Sequence, residues 1–168
     1  MLRFRNLLVL LAALFLGTAS GQVHVIGETS LITCSGTLVE SSDGTGYAAD
    51  TVLMTTICGD GSGSRIALSF NAFLLPDEDG QGDTLFIYRG SDESGVLIGS
   101  FTGSELQDTL ITSTIAGPES CLTLVLRTNA AGSGSFSATI SCLPECVAPI
   151  ASMTSSVGDT ARICPGDT

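Results

Sequence analysis

The chain has 168 residues and a formal net charge of −11, with 17 acidic residues, six arginines and no lysine. Cations this few and this scattered cannot line up along a phosphate backbone, so the composition argues against nucleic acid and anionic membranes as partners. The length fits a leader followed by one domain and a tail.

The first 20 residues have the pattern of a secretory signal peptide. Arg3 and Arg5 precede an apolar run from Leu7 to Leu16, and small residues follow at 18–20. The run is short for a membrane span, and no later segment is long and apolar enough to cross a bilayer. We therefore expect a secreted product, extracellular or at the cell surface, without a membrane span in the mature chain.

An N-terminal segment at 21–33 leads into a region, 34–142, in which short β-prone runs are separated by polar clusters. Apolar and polar residues alternate in 66–70 and again in 135–141, as is typical of strands with one face in a core. No stretch keeps a helical period for more than a turn or two. This region is predicted to be all-β.

Two further runs, 85–88 and 122–126, are apolar on both faces and suit central strands. Turn-forming clusters of Gly, Asp and Ser separate the runs at regular intervals, for example at 42–44, 59–61 and 132–134. Turn clusters spaced this regularly between apolar runs predict an antiparallel two-sheet sandwich.

Pro144 and Pro149 break this pattern and mark the end of the predicted domain. Residues 143–168 are too short to fold alone and are interpreted as a linker with the truncated start of a second β module. The sequence stops just after the turn-like Pro165-Gly166, so we expect it to belong to a longer protein.

An even number of cysteines in an exported chain predicts disulfides. Zinc is the weaker interpretation, because the one close pair has C-x3-C spacing and no histidine nearby. Spacing alone leaves the connectivity open. The six cysteines all lie after the leader: Cys34, Cys58, Cys121, Cys142, Cys146 and Cys164.

Several segments occur in a characteristic order: Cys34-Ser35-Gly36-Thr37, a Gly/Asp/Tyr stretch ending in Cys58, Leu68-Ser69-Phe70-Asn71-Ala72-Phe73, Asp83-Thr84-Leu85-Phe86-Ile87-Tyr88-Arg89-Gly90, Leu97-Ile98-Gly99-Ser100-Phe101-Thr102-Gly103 and Cys121-Leu122-Thr123. Together they resemble a CUB domain of the kind found in secreted bacterial surface proteins. The resemblance implies a jelly roll stapled by disulfides that serves modular extracellular proteins as a protein-binding or carbohydrate-binding unit.

The resemblance also implies that Cys34 pairs with Cys58. Of the remaining cysteines, Cys121 is then expected to pair with Cys142, which leaves Cys146 and Cys164 to bridge the tail. The stretch from Val157 to the end resembles the start of an Ig-like or polycystic-kidney-disease-type (PKD-like) repeat of bacterial surface proteins.

The densest acidic run, 77–83, places carboxylates in a glycine-bent loop, as calcium requires. It is not an EF-hand, because Tyr88 occupies the twelfth position, where a bidentate Glu is needed. The alternative interpretation is a solvated turn between two strands.

The CUB resemblance implies calcium ligands near this run. Asp83 matches the acidic residue that opens a strand, Pro76 stands at the position of the usual Glu, and Asn129 replaces a late Asp. With the neighbouring carboxylates included, the candidate calcium ligands are Asp77, Glu78, Asp83 and Asn129. Fewer charges predict a weaker site.

Catalytic motifs are missing from the sequence. The sole histidine, His24, precedes the predicted domain, and no Gly-x-Ser-x-Gly elbow surrounds a serine. Tyr47, Tyr88 and Arg89 are of residue types enriched in protein contacts, but a strand position suits Tyr88 better and a cap on the turn at Gly90 suits Arg89 better. We expect no catalytic site and no cofactor other than calcium.

The sequence thus favours a non-catalytic extracellular module for binding or adhesion within a larger protein, with a protein or carbohydrate ligand. Two alternatives remain open at this stage: a rigid spacer with an evenly acidic surface, and an accessory domain of a secreted hydrolase whose catalytic part lies elsewhere.

Overall fold

A computed structural model describes residues 21–60, 65–77, 82–114, 120–130 and 134–144. Within these ranges ten strands form two five-stranded sheets, so the predicted all-β sandwich is confirmed. The strands are β1 (Val23–Val25), β2 (Ser30–Ile32), β3 (Ser35–Val39), β4 (Val52–Cys58), β5 (Arg65–Leu74), β6 (Thr84–Arg89), β7 (Val96–Phe101), β8 (Leu110–Thr112), β9 (Leu122–Arg127) and β10 (Ser135–Leu143).

The first sheet has the order β1-β3-β10-β5-β8, and the second has the order β2-β4-β9-β6-β7. Neighbouring strands run antiparallel except for β1 beside β3 and β2 beside β4, which run parallel. The segment at 21–33 therefore adds one short edge strand to each sheet. No helix capable of spanning a bilayer occurs in the part of the chain that the structure describes.

Both sheets turn apolar side chains toward a common core. In β10 the alternation is as predicted: Phe136, Ala138 and Ile140 are buried. The ring of Phe70 meets that of Phe73 edge-on at 5.7 Å, and Phe136 packs against both. Burial of each such ring contributes about 1.5–3 kcal/mol, so this cluster is a main source of stability.

The predicted disulfide pairing is wrong. Cys34 pairs with Cys142, and Cys58 pairs with Cys121. The reason is strand register: Cys34 directly precedes Ser35, which lies opposite Ser141 of β10. Each bond therefore joins the ends of two neighbouring antiparallel strands within one sheet.

The second bond follows from the register of the other sheet. Ile57 of β4 lies opposite Leu122 of β9, which brings the next residue of β4, Cys58, beside Cys121. The predicted signal peptide, Cys146, Cys164 and the second β module beyond residue 144 lie outside the described residues.

Candidate functional site

The loops that leave β3, β5 and β9 meet at one end of the sandwich around Asp83, the residue just before β6. The Asp83 side chain is fully buried. Its Oδ2 accepts a hydrogen bond of 2.6 Å from the Tyr47 hydroxyl, and its Oδ1 accepts one of 2.7 Å from the Asn129 backbone N–H. The Asp83 carboxylate thus forms hydrogen bonds to two other loops and connects all three.

Tyr47 is the least expected member of this network. Burial raises the pKa of the Tyr47 phenol well above its ordinary value, and the hydrogen bond to Asp83 raises it further. The phenol therefore keeps its proton at neutral pH and acts as a donor. Its side chain is buried, so the interpretation of Tyr47 as a surface contact is overturned.

Gly82 allows the loop between β5 and β6 to fold back on itself. A Cβ at this position would stand 2.0 Å from the Pro76 carbonyl oxygen and 2.6 Å from the Asp77 Cα. The Asp83 backbone N–H donates to the same Pro76 oxygen at 3.0 Å. This close approach brings Asp77 next to Asp83 and leaves its side chain exposed.

An open groove of about 510 Å³ lies at this end of the sandwich. Asp77 and Glu40 supply its acidic groups, and Glu40 also accepts a hydrogen bond of 3.0 Å from the Phe136 backbone N–H. Four glycines line the groove, so a ligand group can come close to the backbone. They are Gly44, Gly46, Gly103 and Gly134.

The structure brings the Asp77 backbone close to Gly82, which precedes Asp83, and joins the Asp83 side chain to the Asn129 backbone, whereas Glu78 lies outside the described residues. Calcium takes six to eight oxygen ligands, and carboxylate oxygens are the type it prefers. Oδ2 and Oδ1 of Asp83 accept the hydrogen bonds from Tyr47 and Asn129, and each carboxylate oxygen also has a second lone pair. The donor set therefore fits calcium in kind.

The donor set is nevertheless short in number. Over the described ranges no group of three His, Cys, Asp or Glu side chains is close enough to hold a metal ion. Glu78, backbone carbonyls or water would have to supply the remaining oxygens.

The structure also places the other residues that the sequence singled out. His24 is buried on β1, and its Nδ1 lies 3.2 Å from a carboxylate oxygen of Glu28, which leaves the imidazole beside an acid rather than a serine nucleophile. Arg89 donates through Nε to the Thr112 carbonyl at 3.1 Å and so links the two sheets. Tyr88 is half-buried on the outer face of its sheet.

No family model matches the chain, and no curated protein does either. Solved structures do match. The fold is similar to part of the full extracellular region of zebrafish Gpr126/Adgrg6, with a TM-score of 0.55 and 14% identity over 68% of this chain and 14% of that one. It is also similar to the CUB1-EGF-CUB2 domain of human MASP-1/3, with a TM-score of 0.55 and 12% identity over 75% of this chain and 49% of that one.

A third match is the MASP-1 CUB2 domain bound to Ca²⁺, with a TM-score of 0.51 and 16% identity over 67% of this chain and 96% of that one. The fold is therefore CUB-like. This chain spans less than half the length of the first two structures, and identities this low show the fold alone.

Proposed function

We propose that the chain is a non-catalytic extracellular binding module of a larger secreted or cell-surface protein, which receives its ligand at the loop end around Asp83. The observation that supports this most is the buried network of Tyr47, Asp83 and Asn129 at the end that carries the open acidic groove. The buried Asp83 carboxylate holds three loops in fixed positions. Loops that are already fixed lose less conformational entropy when they bind a ligand.

The ligand group that suits the groove is a cation or a basic side chain. Asp77 and Glu40 provide negative charge at the groove, and the glycines provide room. The chain has no lysine that could neutralise these acids. An extracellular protein with an exposed Lys or Arg therefore has the complementary charge.

Calcium belongs to the same proposal, with Asp77, Glu78, Asp83 and Asn129 as its ligands. A bound divalent cation would supply positive charge between the loops and hold them together. A site with so few carboxylates falls in the weak range of extracellular modules, with a dissociation constant of about 10⁻⁴–10⁻³ M.

A thermal melt of the secreted, oxidised chain with calcium and then with chelator tests this proposal. A ligand bound only by the folded state adds RT ln(1 + [L]/Kd), which is about 1.4 kcal/mol when calcium is tenfold above Kd. For a domain of this size, that raises the midpoint by about 4–8 °C.

The matched variants are Asp77→Asn and Asp92→Asn. Both remove one exposed charge, but Asp92 lies in the turn between β6 and β7, where it accepts hydrogen bonds from Ser94. Asp77→Asn is expected to abolish the calcium shift, whereas Asp92→Asn keeps it. If calcium does not move the midpoint of the unmodified chain, the loop is a solvated turn and the spacer interpretation is the better one.

A further inference from the structure

Strand β7 is one of the two edges of the second sheet, and β2 is the other. Among the described strands β7 pairs with β6 alone. Its six residues, Val96-Leu97-Ile98-Gly99-Ser100-Phe101, include no charge and no proline. Natural proteins usually protect such edges with Lys, Pro, a bulge or a cover, because the unpaired N–H and C=O groups can accept another strand. Of these devices β7 has one register shift in its pairing with β6, between Ile87 and Tyr88.

The outer face beside this edge is partly apolar, with Ser100 and Thr123 as its polar members. Leu97 lies opposite Tyr88, and Phe86 lies opposite Val125 of the next strand. Val125 in turn lies opposite Met54 of β4. Leu97 is 51% exposed and lies on the edge strand itself, so it offers apolar contact to a side chain arriving along the edge.

Both ends of β7 carry exposed carboxylates. Asp92 precedes the strand, and Glu105 follows it, with its carboxylate accepting a hydrogen bond from the Thr102 backbone N–H. The one cation described on the adjacent face, Arg127, is held over the Phe86 ring at 5.6 Å and pairs with Glu93 at 2.8 Å. Negatively charged residues therefore lie at both ends of the uncharged edge strand β7, which is about 20 Å long.

We propose that β7 accepts an extended segment of a partner protein as an additional strand, and that this segment is uncharged over about six residues with Lys or Arg at both ends. Main-chain hydrogen bonds would provide affinity, and the carboxylates would select the basic flanks. A second copy of this chain does not fit, because antiparallel pairing of two β7 strands would place Asp92 near the Glu105 of the other copy. This edge is separate from the groove at Asp77.

The test uses two capped peptides and the full oxidised chain. One peptide has six alternating valines and threonines with two lysines at each end, and the other has glutamates in place of the lysines. We compare the unmodified chain with Leu97→Lys, which places a cation on the edge. The matched control is Leu110→Lys, because Leu110 is 56% exposed on β8, an edge of the other sheet.

The lysine-flanked peptide is expected to bind, to protect the β7 amides from hydrogen exchange and to bind more weakly as salt is raised. Leu97→Lys is expected to weaken its binding by about tenfold or more, while Leu110→Lys leaves it unchanged within about twofold. Chelator should not change the binding of the peptide. The peptide experiment therefore tests this inference independently of the calcium proposal.

Four results would overturn the inference. One is the absence of binding by the lysine-flanked peptide at millimolar concentration. Another is equal binding of the two peptides, or equal loss in the two variants. The last is a dimer of the unmodified chain in sedimentation that Leu97→Lys abolishes, since it would make β7 a contact between copies.

Discussion

The disulfide pairing predicts that different double substitutions of cysteine will lower the unfolding free energy by clearly different amounts. Cys34 and Cys142 are 108 residues apart, and Cys58 and Cys121 are 63 residues apart. In the chain-entropy model, closing loops of these lengths stabilises the fold by about 4.8 and about 4.3 kcal/mol. A double serine variant at either bonded pair should lose about that amount and keep the other bond.

A double variant at Cys34 and Cys58 should instead break both bonds. The expected loss is about 9 kcal/mol, which is comparable with the whole stability of an ordinary domain. The assay is urea unfolding of the three variants without reductant, together with mass spectrometry of alkylated thiols. In the Cys34/Cys58 variant, free thiols are expected at Cys121 and Cys142.

The opposite pattern would refute this reasoning. If the Cys34/Cys58 variant keeps a bond between Cys121 and Cys142 and is more stable than the Cys34/Cys142 variant, the strand register at this end of the sandwich is wrong.

Further predictions concern the loop end and the core. Tyr47→Phe removes a hydrogen bond to the buried Asp83 carboxylate and should cost about 1.5–3 kcal/mol in urea unfolding; an unchanged midpoint would contradict the network. The folded phenol holds its proton above the ordinary pKa of 10.0, so the unfolding free energy should fall as pH rises past that value. The slope should reach about 1.4 kcal/mol per pH unit and be absent in Tyr47→Phe. Gly82→Ala forces the backbone apart at Pro76 and should lower stability by about 1–3 kcal/mol, measured the same way. Phe70→Ala should cost about 3–5 kcal/mol, whereas Leu110→Ala on the surface stays within about 0.5 kcal/mol; equal effects would mean that the core is misplaced.

The two-sheet sandwich could be predicted because the hydrophobic pattern that indicates each strand lies within a short stretch of the chain. The strict alternation in 135–141 and the uniformly apolar run at 122–126 reflect how many faces of a strand are buried, and the structure buries them accordingly. The short parallel strands β1 and β2 were missed, because three-residue strands carry too little pattern to detect.

The disulfide pairing and the burial of Tyr47 could not be predicted, because both depend on contacts between residues far apart in the chain. Disulfide pairing follows from which strands become neighbours, and no local pattern records that β3 lies beside β10. Burial of Tyr47 could not be predicted either, since it stands among Gly, Ala and Asp in a loop and its partner, Asp83, is 36 positions away. An isolated aromatic residue in a polar loop is the signal that could have suggested such an anchor.

The most direct test of the proposed loop-end site is a crystal structure of the oxidised chain grown in millimolar calcium. The account predicts one ion bound by Asp77 and Asp83, with metal–oxygen distances of about 2.3–2.6 Å and further oxygens from Glu78 and Asn129. Only water beside Asp83, with its carboxylate bonded to Tyr47 and Asn129 alone, would contradict it.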